Sequence, residues 1–105
     1  MSKFPYRQDR EELKALLRQY ENLKEGMPNS FIEEDGFDRI IEHFEDKEQY
    51  TLALEACEFA ISQYPYSASL LFLKANALIV LRKYNEALTI LEQAELLDST
   101  DTTLY

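Results

Sequence analysis

The sequence holds no tryptophan, one cysteine, one histidine, two glycines and three prolines in 105 residues. With Cys57 alone, an internal disulfide and any multi-cysteine metal site are excluded. So few glycines and prolines argue against an all-β chain, whose turns recur every few positions and need those residues. No apolar run approaches the ~20 residues of a membrane-spanning helix. The opening MSKFPYRQDR is polar and unlike a signal peptide. A cytoplasmic protein is the default expectation. Neither a Gly-rich phosphate loop nor a GxSxG nucleophile turn occurs.

Positive charge is the other scarcity. Eleven Lys and Arg face twenty Asp and Glu, for a net charge of -9. The first thirty residues are close to neutral, so the imbalance begins after them. Residues 31–60 carry ten acids against Arg39 and Lys47 alone. A surface of that sign repels phosphate backbones and anionic lipid, so neither nucleic acid nor membrane is an expected partner.

What is present is apolar residues at helical spacing. Leu13, Leu16, Leu17, Tyr20 and Leu23 draw one stripe and predict a helix from about Asp9 to Glu25, with Asp9 as its cap and Gly26 and Pro28 as its stop. Ser30 and Glu33 are spaced as a capping box for a second helix to about Asp46, with Phe37, Ile40, Ile41 and Phe44 inward. A third helix is expected over Tyr50–Gln63, with Ala53, Cys57 and Ala60 inward and Pro65 closing it. A fourth is expected over Ser69–Leu81 and a fifth over Tyr84–Leu97.

Shifting the chain by 34 residues lays Tyr50 on Tyr84, Ala53 on Ala87, Leu54 on Leu88, Glu58 on Glu92 and Ala60 on Ala94. Phe37, Ile41, Phe44 and Cys57 fall on Leu71, Ala75, Leu78 and Leu91, which preserves apolar character. Alanine is the best helix former, but its recurrence after the same tyrosine at one period marks places where helices approach too closely for larger side chains. With this period and two helices per unit, the chain resembles the tetratricopeptide repeat (TPR) family. It departs from the family pattern at Ile41, where a small residue is usual, at Lys74, where an apolar one is, and at Ser99, where proline is.

The resemblance implies an all-α fold: TPR-type helix-turn-helix repeats stacked as a short right-handed superhelix, with an N-terminal capping helix. The expected divisions are a capping helix in 1–30, repeats at 31–66 and 67–101, and the start of a truncated third repeat at 102–105. It also implies a protein-binding role, with the first helix of each repeat lining a concave groove. Carried over position by position, the groove residues are Asp35, Asp38, Glu42, Glu45 and Asp46 in the first repeat and Ser69, Phe72, Asn76, Ile79 and Val80 in the second. The implied partner is another protein, offering a basic or basic-apolar segment. Asn76 matches a position of the clamp with which some members grip chaperone tails, but Asp38 stands where that clamp has lysine and would repel a carboxylate. Alternative roles are a scaffold segment that self-associates through its C-terminal end and a regulatory repeat region of a larger enzyme.

No catalytic residue, metal site or cofactor is expected. His43, with Glu42 and Asp46 nearby on one helix, lacks the supporting groups a metal site needs. Cys57 reads as a buried small hydrophobe. The stretch Glu34–Asp38 superficially suggests a calcium loop but lacks the alternating ligands and the distal glutamate.

Overall fold

In a computed structural model the backbone is described over residues 6–102 and the side chains over 10–97. All regular structure among the described residues is helical: α1 (Tyr6–Lys24), α2 (Glu34–Asp46), α3 (Tyr50–Gln63), α4 (Ala68–Val80) and α5 (Tyr84–Thr102). The chain forms two compact units that divide between Ile40 and Ile41, inside α2.

In the first unit α1 buries Tyr20 and half-buries Leu13, Leu16, Leu17 and Leu23, the stripe read from the sequence. Its start lies three residues before the expected cap, so Asp9 sits inside the helix. Tyr6, Arg7 and Gln8 include no glycine, proline or β-branched residue, and nothing in them opposes helix. The end of α1 is a Schellman turn: Gly26 takes φ 75°, its N–H reaches the Leu23 carbonyl, and the Met27 N–H reaches that of Asn22.

The Ser30–Glu33 capping box does not form. The second helix starts at Glu34, and its first backbone bond runs from the Phe37 N–H to the Glu33 carbonyl. The preceding residues stay irregular and bury Ile32 against the Gly36 position of α2. Burying a large aliphatic side chain is worth about 1.5–3 kcal/mol, more than the ~1 kcal/mol of a side-chain cap. Gly36 makes this packing possible. A Cβ there would stand 2.9 Å from both Ile32 Cγ2 and Leu16 Cδ2, closer than carbon atoms approach.

In the second unit α4 packs against both α3 and α5. Buried positions are mostly small: Ala53, Ala56, Cys57 and Ala60 on α3, Ala75 and Ala77 on α4, Ala87 and Ala94 on α5. Larger buried side chains come from Ile41, Leu70, Leu71 and Leu78. Lys74, anomalous in sequence, is explained by its setting: its ammonium lies 3.9 Å from the Glu58 carboxylate on α3. Ser67 caps α4, its hydroxyl accepting from the Leu70 N–H at 3.2 Å.

The period of 34 residues is written into the backbone as well. Between the starts of α2 and α4, and again between those of α3 and α5, lie 34 residues. Glu48 (φ 58°) and Arg82 (φ 67°) are the same distance apart and adopt the same left-handed conformation. Each closes a Schellman turn, with bonds Glu48→Glu45 and Gln49→Phe44 in one and Arg82→Ile79 and Lys83→Leu78 in the other. The fifth helix overruns its expected end at Leu97 and continues to Thr102. Pro65 follows the end of α3, whereas Ser99 occupies the matching place in α5 and lets the helix run on. The expected third-repeat start begins on this last helical residue, and 103–105 lie outside the described residues.

Candidate functional site

The acids singled out in the sequence share one side of α2. Asp35, Asp38, Glu42 and Glu45 follow one another at three or four residues, which stacks them along a helix face, and Asp46 flanks Glu45. Asp35, Glu42 and Asp46 are exposed, while Asp38 and Glu45 are half-buried. On α4, Ser69, Phe72, Asn76, Ile79 and Val80 are all exposed and fall on one face by the same spacing. Asn76 is thus an amide within an apolar stripe.

Within the second unit the two helices meet at this face. The Asn76 side chain hydrogen-bonds the Glu45 carboxylate, while Glu45 Oε2 is buried without a hydrogen-bond partner. Burial pushes the Glu45 carboxyl above its ordinary value of 4.5, the Asn76 bond opposes the rise, and the charges of Glu42 and Asp46 add to it. Three acids and an amide therefore stand together, flanked on α4 by exposed Phe72 and Ile79. Such a surface favours cations and N–H donors.

Asp35 belongs to a different feature. In the first unit it lines a cleft of about 450 Å³ with Ala15, Leu16, Phe31, Glu33 and Gly36. Across its rim Arg39 Nη1 donates to Glu12 Oε1 at 2.9 Å. Nothing in the residue pattern foretells this cleft. Phe31 and Ile32 are adjacent apolar residues in a polar break, and only the fold decides that Ile32 is buried while Phe31 is 61% exposed.

The remaining candidates are quiet. His43 is half-buried with its ring 5.4 Å from that of Phe44, and Cys57 is buried. Among the described residues no group of three or more His, Cys, Asp or Glu is placed to hold a metal ion. No helix there is long and apolar enough to cross a membrane.

A family model for the tetratricopeptide repeat matches residues 45–105, more than half of the chain, taking in α3, α4 and α5. No curated protein and no solved structure matches the chain. The repeated helix starts, the paired turns and the alanine seam agree with that match: the chain belongs to the tetratricopeptide repeat family, whose repeats are generally non-catalytic modules that mediate protein–protein interaction.

Proposed function

We propose that this protein binds a segment of another protein on the face formed by Glu42, Glu45 and Asp46 of α2 and Phe72, Asn76, Ile79 and Val80 of α4. The observation that carries this reading is the Glu45–Asn76 hydrogen bond, which joins the acidic face of one helix to the apolar stripe of the other. Ser69 extends that stripe toward the start of α4, and Asp38 and Asp35 continue the acidic run one and two turns earlier on α2. The segment carries Lys or Arg for the acids and an apolar side chain for Phe72 and Ile79. Repeats at 31–66 and 67–101 supply the two helices, a division supported by helix starts and turns at the same 34-residue interval.

The test uses fluorescently labelled peptides of mixed Lys/Arg and Leu/Phe content, with Glu-for-Lys/Arg versions as controls, read by anisotropy. The basic peptides bind, and raising salt above physiological strength, where the screening length is already ~8 Å, weakens them. Replacing Glu42 and Glu45 with Lys abolishes that salt-sensitive component. Unchanged affinity and unchanged salt dependence would sink the reading.

A second reading rests on a separate observation. On α5, Tyr84 and Leu88 are each 58% exposed and Leu96 69%, and exposed apolar clusters mark association surfaces. Self-association through α5 follows, with sedimentation as its measure. A strict monomer at high concentration, or a dimer untouched by Leu88→Glu, would rule it out.

A further inference from the structure

The cleft of the first unit shares Asp35 with the acidic run of α2 but holds none of Glu42, Glu45, Asp46 and the α4 residues that carry the face just described. Its walls are the apolar Ala15 and Leu16 and the backbone of Gly36, and one edge is the Phe31 ring. The Gly36 wall is close-packed, since even a methyl group on Gly36 would collide with Leu16 and Ile32. A cleft of about 450 Å³ backed in this way lies within the common size range of binding pockets, roughly 300–1,000 Å³.

Charge selects the occupant. Glu12, Glu33 and Asp35 line the cleft against Arg39, and Arg39 is engaged by Glu12. Glu33 and Asp35 are therefore left as an uncompensated pair, both exposed. The N-terminus of α2 lies here too, but its dipole amounts to roughly half a positive charge, which two carboxylates outweigh. Beside them, Phe31 offers an aromatic face at 61% exposure. A guanidinium suits both features, because its plane stacks on a ring while its fork of N–H donors meets a carboxylate with two bonds. An ammonium would satisfy the charge but not the stacking.

We propose that this cleft is a second peptide-binding site, one that takes an arginine side chain of a partner protein between Phe31 and the Glu33–Asp35 carboxylates, with an adjacent apolar side chain against Ala15 and Leu16.

The test is to select a 12-residue phage-displayed peptide library on the full chain, then measure the recovered peptides by calorimetry against four variants. Phe31→Ala and Asp35→Lys alter exposed positions of the cleft; Glu42→Lys and Glu45→Lys alter the other face. The proposal expects a class of peptides with Arg next to an apolar residue. That class should lose about fivefold in affinity on Phe31→Ala and about tenfold on Asp35→Lys, and bind the Glu42 and Glu45 variants as tightly as the parent. Arg→Lys in the peptide should cost about as much as Phe31→Ala. Circular dichroism of each variant confirms that its helices are retained. Peptides that respond only to the Glu42 and Glu45 changes would overturn the cleft while supporting the other face. Arginine-free peptides, no enriched peptides, or arginine peptides indifferent to both Phe31→Ala and Asp35→Lys would also overturn it.

Discussion

The two units solve the same packing problem with opposite materials. The first fills its interior with large side chains, Tyr20, Ile32, Phe37 and Ile40, and relieves a single point of crowding with Gly36. The second distributes the relief over eight small residues on three helices, from Ala53 to Ala94. A core of large residues gains more apolar burial per position. One of small residues brings backbones close and can be copied at a fixed interval, because no single bulky contact has to be reproduced. The period of 34 is accordingly clearest where the small residues are.

Four measurements test that contrast, all read from thermal or urea unfolding. The largest effect is expected from Phe37→Ala in the first core, a destabilisation of about 3–5 kcal/mol from lost burial and the cavity left behind. A loss under about 1 kcal/mol would show that this interior collapses freely and is not a close-packed core. Next is Ala53→Leu in the second core, where overpacking should cost about 1–3 kcal/mol. Helix propensity barely changes between these two residues, so an unmoved midpoint would mean that the seam is not tight.

Smaller effects come from the two paired turns. Glu48 and Arg82 hold a left-handed backbone that costs a residue with a Cβ about 1–2 kcal/mol. Glycine removes that cost but adds about 0.5–1 kcal/mol of unfolded-chain entropy. Glu48→Gly and Arg82→Gly should each stabilise by up to about 1 kcal/mol, and by similar amounts. Opposite signs at the two positions would refute their equivalence.

The smallest effect concerns Glu45 and depends on pH. Its folded-state carboxyl titrates above the ordinary value of 4.5, so the folded chain holds this proton more tightly than the unfolded chain does. Stability linked to the group therefore rises as pH falls through the shifted value, and the cost of the ionised form is fully present above it. Glu45→Gln should melt higher than the parent at pH 7, and the difference should shrink on acidification and level off below 4.5. A difference that stays constant with pH would show that Glu45 titrates normally.

Much of the helical layout was legible in the sequence, because the strongest signals were local. The bounds of α3 agree with those expected, Tyr50 to Gln63, where a polar break and a proline mark the two ends. Capping signals were weaker guides. Asp9 and Ser30 are good cap residues in isolation, yet continued helix at one and burial of Ile32 at the other outweighed them. Tyr50 and Tyr84 coincide at the 34-residue shift, yet Tyr50 is half-buried and Tyr84 is 58% exposed. The groove residues could be named from the family pattern; eight of the ten are exposed, while Asp38 and Glu45 are half-buried. Their meeting could not be foreseen, since the Glu45–Asn76 bond joins residues 31 apart on different helices. The cleft beside Phe31 was invisible for the same reason.

The paired left-handed turns carry one more implication. Their shape is held by two backbone hydrogen bonds each, and the side chain at the apex takes no part in those bonds, so the position accepts an acid in one copy and a base in the other. The apex is thus an editable label on a fixed mount. Its charge can be rewritten in either copy, by drift or by design, while the backbone that presents it keeps its place.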